Sequence, residues 1–169
     1  MIIFLSILFF VSCYSYDLSE PNNYDQTYDN ELWEPKIFIS HGSYNAIEAV
    51  ANKLIKNNGK DAILTGDVKA DFFNEEGDHI STLFSDTISI NENNNDLAAF
   101  GKVRVISDSG YVLQTNHIIW DNKYRMIISN DSVLFTTSSQ DSMKGVGFES
   151  DIDLSQWKIF KPQGVARSK

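Results

Sequence analysis

The sequence has one cysteine, three histidines and few basic residues for its length of 169 residues. The single Cys excludes an internal disulfide and a zinc site built from cysteines. With 14 Lys and Arg against 23 Asp and Glu, the net charge is −9. This charge argues against a nucleic-acid partner, because a phosphate backbone requires a basic face. The chain is long enough for one domain with a substantial core and short for two full domains.

Sequence motifs of enzyme chemistry are also missing. His41, His79 and His117 are far apart in the sequence, and none has a metal-ligand spacing to another His or to a Cys. No Ser lies in a nucleophile elbow, and the glycines around Val146 do not form a phosphate-binding loop. We therefore predict a protein that is not an enzyme and that uses no metal and no cofactor.

The N-terminal apolar run is short. Residues 1–11 are apolar except for Ser6, whereas a helix that spans a bilayer needs about 20 apolar residues. Residues 1–13 therefore fit a signal peptide. Their last four residues, FVSC, resemble a bacterial lipobox, in which the Cys becomes the lipidated first residue of the mature protein. Cys13 is thus the predicted lipidation site, and the alternatives are an uncleaved hydrophobic anchor or an ordinary signal peptide.

Residues 14–34 form a predicted acidic tether. They include six Asp or Glu and no Lys or Arg, so they carry six of the nine net negative charges. Aliphatic side chains are nearly absent from this segment, which is therefore not expected to bury itself. Residues 35–165 are the predicted folded domain, and residues 166–169 are a short tail.

Apolar and polar residues alternate through most of the folded domain, as they do in half-buried strands. Leu64, Val68 and Phe72 fall on one parity, for example, and Asp67 and Lys69 fall on the other. Segments rich in Asn, Asp and Gly separate these runs and predict turns. The sequence therefore predicts an all-β domain.

Two local patterns stand out within this domain. The apolar residues of segment 43–58 fit one face of a helix, with Ser43 as a cap and Gly59 as a stop, so the pattern alone predicts a helix there. A short repeat, GDV at 66–68, GKV at 101–103 and DSV at 131–133, also recurs along the chain. Repeated hairpin units of this kind predict a stacked, open-ended β structure with free edges.

Four stretches of the domain carry a resemblance to a known family. Residues 145–154 (GVGFESDIDL), with the WKI sequence at 157–159, resemble the C-terminal signature of the LptC family. Three upstream stretches match the family's general pattern in the same order. They are 66–73 (GDVKADFF), 97–105 (LAAFGKVRV) and 113–121 (LQTNHIIWD).

The resemblance covers residues 37–164 and implies a fold. LptC-like proteins form an OstA/LptA-like open β-jellyroll of two antiparallel sheets. In that fold residues 43–58 are strand, against the helical pattern, and we follow the family at this point. Familiar members of the family have an N-terminal transmembrane helix, whereas this chain begins with a short segment that ends in Cys13.

The resemblance also implies a function and partners. LptC-like proteins lie in the periplasm, anchored to the inner membrane. They accept lipopolysaccharide from the transmembrane subunits of an ATP-driven transporter and pass it to LptA, a related jellyroll. The transmembrane subunits are expected at an N-terminal edge near residues 37–39. The LptA-like partner is expected at a C-terminal edge that contains Val146, Phe148, Trp157 and Ile159.

A conduit for a multi-acyl lipid needs an apolar trough between its two sheets. Burial of acyl carbons stabilises a bound lipid by about 0.8 kcal/mol per CH₂. The residues on the inward parity are the predicted lining of this trough. They are Leu64, Val68, Ala70, Phe72, Leu83, Leu97, Ala99, Val103, Val105, Leu113, Val133, Phe135 and Phe148.

Two other functions fit the same sequence features. An LptA-like soluble bridge would need no anchor. A secreted β-sandwich lipoprotein that binds glycan or stabilises the envelope belongs to a different class, and it would present exposed aromatic platforms in place of an apolar interior.

Overall fold

The computed structural model describes residues 30–56 and 61–164, and these residues form strands and turns without a helix. The predicted signal peptide, Cys13, most of the tether and the tail lie outside the described residues. Within the described residues there is accordingly no helical segment long and apolar enough to cross a membrane. The strands are β1 (Asn30–Trp33), β2 (Lys36–His41), β3 (Tyr44–Val50), β4 (Lys53–Lys56), β5 (Ala62–Phe73), β6 (His79–Ile90), β7 (Leu97–Ser107), β8 (Val112–Asp121), β9 (Met126–Thr136), β10 (Ser142–Asp151) and β11 (Trp157–Gln163).

All eleven strands belong to one antiparallel sheet. The order β1-β4-β5-β6-β7-β8-β9-β10-β11 follows the chain from β4 onward, and β2 and β3 join at the side of β5. The first half of β5 pairs with β4, and its second half pairs with β3. The N-terminal end of the sheet is therefore split into two branches.

The long strands bend near their midpoints. Register shifts interrupt β5 and β6 between Thr65 and Val68, and they interrupt β6 and β7 between Phe84 and Thr87. Similar shifts occur where β8 pairs with β9 and where β9 pairs with β10. Because a bulge bends its strand, the aligned bulges fold the sheet along one line.

The sequence repeat marks this line. Gly66 and Gly101 have φ angles of 79° and 76°, and the residues after them, Asp67 and Lys102, also have positive φ. A Cβ at Gly101 would lie 2.5 Å from an Asp86 carboxylate oxygen. Glycine is therefore required at this bend by both its backbone angle and its close neighbour.

The folded sheet makes two layers that face each other. The rings of Phe72 and Trp120 are 5.4 Å apart, although they belong to β5 and β8, which β6 and β7 separate by about 14 Å in a flat sheet. The first layer consists of β1, β4, the N-terminal halves of β5, β7, β9 and β11, and the C-terminal halves of β6, β8 and β10. The second layer consists of β2, β3 and the remaining halves. One core of apolar side chains fills the space between them. The fold is the predicted all-β open jellyroll, but its two layers belong to one continuous antiparallel sheet and not to two separate sheets.

Within the predicted helix 43–58, residues 44–50 and 53–56 are strands, so the helix predicted from the pattern is wrong and the strand implied by the family resemblance is confirmed for the described residues. β3 pairs with β2 and β5, and β4 pairs with β1 and β5. β3 is irregular opposite Ile39 and Ser40, where its register with β2 shifts, and residues 51–52 interrupt the strands. The buried residues of the segment are therefore unevenly spaced. This spacing imitates the period of a helix.

Folded structure begins earlier than residue 35. Asn30–Trp33 form β1, which pairs with β4 through Trp33 and Lys53 among others. The Nζ atom of Lys53 lies 2.6 Å from a Glu31 carboxylate oxygen. The end of the predicted tether is therefore part of the sheet.

Candidate functional site

All thirteen residues predicted to line the trough lie in the interior, and none is more than 4% exposed. They come from both layers, so the fold does bring them to one apolar space. Phe135 illustrates the packing, since its ring lies 5.2 Å from that of Phe148 and 4.8 Å from that of Trp157. In this conformation the space is filled by side chains, and lipid reaches these residues only if the two layers separate.

Sequence reasoning missed a further part of this interior. Ile88 and Ile90 of β6 and Ile118 and Trp120 of β8 are buried with the predicted residues. In β6 and β8 the inward residues have odd numbers before the bend and even numbers after it. A single alternating pattern therefore predicts the inward residues only up to the bend. The parity change at each bend is the signal that identifies these residues.

An apolar cleft opens at the N-terminal end of the domain, where the sheet splits into its two branches. It has a volume of about 350 Å³, and β2 forms one wall while β4, β5 and β6 form the other. Lys56 and Glu92 form an ion pair of 2.6 Å at its rim. The apolar lining consists of Ile37, Phe38, Ile39, Leu54, Ala62 and Ile90. We call this feature the N-terminal cleft.

The C-terminal edge of the sheet is β11, and two of the four residues predicted at this edge do not lie on it. Val146 and Phe148 belong to β10, which pairs with β9 on one side and β11 on the other, so this part of the prediction is wrong. Trp157 and Ile159 belong to β11, the last strand of the sheet order. The unpaired backbone at this end is therefore that of β11. At the other end two branches have a free edge among the described strands: β1 pairs with β4 alone, and β2 pairs with β3 alone.

Arg125 connects the two layers at the ends of their strands. It lies in the turn between β8 and β9 in the first layer, and its Nη1 atom is 3.7 Å from a carboxylate oxygen of Glu75, in the β5–β6 turn of the second layer. Its guanidinium group also lies over the ring of Tyr44, 5.9 Å from the ring centroid. Glu75 and Arg125 lie in the turns that follow the strand ends carrying Phe72 and Trp120.

A polar network lies on the outer face of the second layer. The Nδ1 atom of His79 is 2.9 Å from an Asp108 carboxylate oxygen. Its Nε2 atom is 3.0 Å from the Thr82 hydroxyl and 3.3 Å from an Asp71 oxygen. Lys69 donates to the other Asp71 oxygen at 2.6 Å. The network joins the β5–β6 hairpin to the turn that follows β7.

The network shifts the pKa of two groups. Partial burial alone lowers the pKa of His79, but the hydrogen bond and charge of Asp108, together with Asp71, raise the pKa above its ordinary 6.5. Partial burial alone raises the pKa of Asp71, but hydrogen bonds from Lys69 and Thr82 and the charge of Lys69 lower it below its ordinary 3.8. Both shifts reflect pairing of opposite charges.

We expect the free energy of unfolding to fall as the pH rises from mildly acidic values through 6.5 to mildly alkaline ones, because the raised pKa of His79 makes the folded protein lose this proton at a higher pH than the unfolded chain. Its contribution is complete below pH 6.5, and that of Asp71 is complete above pH 3.8. The loss should be below about 1 kcal/mol, since these side chains are partly exposed. Urea unfolding across this pH range checks it. His79→Gln should remove the slope, and a slope unchanged in that variant would assign it to other groups.

Among the residues that the structure describes, no group of three or more His, Cys, Asp or Glu is placed to hold a metal ion. The His79 network contains its own counter-charges, because Lys69 and His79 face the carboxylates of Asp71 and Asp108. No protein-family model matches the chain, and no curated protein is significantly similar to it. The functional argument therefore depends on the geometry of the interior, the cleft and the strand edges.

Proposed function

We propose that this chain carries lipopolysaccharide through the periplasm, as the resemblance to LptC-like proteins implies. It accepts the lipid extracted from the inner membrane by an ATP-driven transporter and passes it to an LptA-like jellyroll. The observation that carries the proposal is the two-layered open jellyroll, whose interior is apolar along the whole line of strands from the N-terminal cleft to β11. Attachment to the membrane through the N-terminal segment belongs to the same proposal.

The interior suits acyl chains rather than a polar ligand. Its buried residues are aliphatic and aromatic apart from a few Ser and Thr hydroxyls. Each acyl CH₂ that enters it gains about 0.8 kcal/mol, so the many carbons of a multi-acyl lipid are needed to offset the side-chain packing that is disrupted when the layers separate. The lining changes little from strand to strand, and a lipid can therefore move along it without a single tight site.

The N-terminal cleft is the proposed receiving end. It is the place where the two branches of the sheet stand apart, and its walls continue into the core through Ile39, Ala62 and Ile90. The Lys56–Glu92 ion pair at the rim is exposed, so its charges can exchange partners with a lipid headgroup at little cost. Acyl chains that enter here meet the first buried residues of β5.

The two ends of the sheet are the proposed docking sites for neighbouring jellyrolls. An unpaired edge strand accepts a strand of a partner through main-chain hydrogen bonds. β2 provides such an edge for the transporter subunits, and β11 provides one for the LptA-like partner. Trp157 and Ile159 of β11 already pack against the core, so an added strand would extend the interior without a gap.

A photo-crosslinking amino acid at Val103 should capture lipopolysaccharide in cells with active export. Val103 is 1% exposed and faces the interior, whereas the Lys69 side chain is 43% exposed on the outer face. An adduct at position 103 that depends on ATP hydrolysis and is absent at position 69 supports the conduit. Crosslinks at β11 to protein alone, with position 103 free of lipid, would instead identify a structural link.

The glycan-binding alternative finds less support in the structure. Large aromatic side chains are exposed, but Trp33, Phe38, Phe100 and Phe160 lie on four different strands, and Tyr124 lies in a turn. Lys side chains lie over the rings of Trp33, Phe38, Tyr124 and Phe160. A sugar platform needs open ring faces, and absence of both lipid and protein adducts in the crosslinking experiment would favour this alternative.

A further inference from the structure

Three buried polar atoms in the described part of the chain have no hydrogen-bond partner: the Tyr44 hydroxyl, the Ser81 hydroxyl and the Trp120 indole N–H. Ser81 is fully buried and Trp120 is 3% exposed. A buried donor without an acceptor destabilises the folded state, so each such atom needs an explanation. Three of them in one small core suggest a common explanation.

The three atoms belong to the same end of the interior. Ser81 is the register partner of Phe72, whose ring contacts that of Trp120 across the two layers. On its other side Phe72 pairs with Ile47 of β3, the strand that begins at Tyr44. The guanidinium group that lies over the Tyr44 ring comes from the turn directly after β8, which carries Trp120. Ser81 and Trp120 are thus linked to Phe72 by a register pair and a ring contact, and Tyr44 belongs to the strand that pairs with Phe72.

We propose that this end of the interior is a hydrogen-bonding subsite for the neutral oxygens of an acylated lipid, such as ester carbonyls. The inference rests on the proposed function and adds a specificity to it. The Ser81 and Tyr44 hydroxyls and the Trp120 indole are uncharged donors, so they suit neutral acceptors. An ionised phosphate would need a cation at the same depth, and Arg125 lies nearer the surface, where it pairs with Glu75.

The apolar part of the same lipid lies beyond the donors. When the layers separate at the contact of Phe72 with Trp120, acyl chains fill the core, and the ester group remains level with the three donors. Entry of the lipid stabilises each donor, because a buried group that had no hydrogen-bond partner gains an ester oxygen as its acceptor. The donors are thus unsatisfied in the closed protein and satisfied in the loaded one.

The test uses the full chain, labelled with ¹⁵N at tryptophan and held in a nanodisc of ether-linked phospholipid. Only three indole signals arise, since the chain has three Trp residues. Addition of monomyristoylglycerol, which has an ester carbonyl, should move the Trp120 indole proton downfield. The matched alkyl-ether glycerol should bind without this shift.

Hydroxyl deletions separate the subsite from packing. Tyr44→Phe and Ser81→Ala should each weaken binding of the ester lipid by about fivefold and leave ether-lipid binding unchanged. Their thermal midpoints should be equal to or above that of the wild type, since each removes an unpaired buried group. Tyr124→Phe is the matched control, because the Tyr124 side chain is 66% exposed outside the interior.

The outcomes separate the two proposals. If both lipids bind, and if Tyr44→Phe and Ser81→Ala change the binding of the ester lipid and of the ether lipid equally, the subsite is wrong and the lipid conduit stands. If the two hydroxyl variants lose stability, the hydroxyls have structural partners and the subsite is again wrong. If neither lipid binds to any form of the chain, the proposed function fails and the subsite fails with it.

Discussion

Replacing Phe135 by alanine is expected to lower the free energy of unfolding by about 3–5 kcal/mol. Phe135 is fully buried, and its ring contacts those of Tyr111, Phe148 and Trp157 at centroid distances of 5.9, 5.2 and 4.8 Å. These contacts connect the β7–β8 turn, β9, β10 and β11. Truncation removes them together and leaves a cavity that rigid strands cannot close.

Urea unfolding followed by tryptophan fluorescence measures this loss. Phe84→Ala is the matched control, because Phe84 lies on the outer face and is 38% exposed. It should lower the free energy of unfolding by no more than about 1 kcal/mol. A loss of similar size in the two variants would mean that the layers are already apart in solution, and that the interior is an open trough rather than a packed core.

The second large effect is expected at Gly145, where alanine should detach β11 from the sheet. Gly145 faces the interior on β10, opposite Pro162 of β11. A Cβ at this position would clash with the Ile159 side chain and would lie 2.8 Å from the Lys161 carbonyl oxygen. Because the second contact is backbone, the strand itself must move, and overpacking of this kind costs about 1–3 kcal/mol.

Trp157 reports this detachment. Its indole packs on Phe135, so loss of β11 should shift tryptophan emission to the red and expose Pro162 and its neighbours to proteolysis. Gly164→Ala is the control, since a Cβ there meets no atom within 4 Å. If Gly145→Ala keeps native emission and native stability, β11 does not pack on β10 as described.

This variant also separates the two parts of the proposed function. Detachment of β11 removes the C-terminal edge, but the N-terminal cleft and the core of β5 to β8 keep their strands. Capture of lipid at Val103 should therefore continue while transfer to an LptA-like partner stops. Loss of both activities would mean that the ends of the jellyroll are coupled through the core.

The all-β class and half of the buried apolar residues could be predicted from the sequence alone. Alternation in β5, β7 and β9 keeps one parity through each bend, as with Leu64 and Val68 or Leu97 and Val103. The trough residues predicted from the alternation in these three strands therefore all face the interior. The repeats predicted a stacked β structure, but that the glycines of GDV and GKV lie at the bends is known only from the structure.

Features that depend on which strands pair with each other could be known only from the tertiary structure. In β6 the inward parity changes between Leu83 and Ile88, because the bend adds an odd number of residues. Residues 44–50 and 53–56 are strands because the backbone of β5 pairs with both β3 and β4. Whether Val146 lies at an edge depends on β11. Only the fold leaves polar atoms of Tyr44, Ser81 and Trp120 buried without a hydrogen-bond partner, since neighbouring strands, not local sequence, determine which buried donors find a partner.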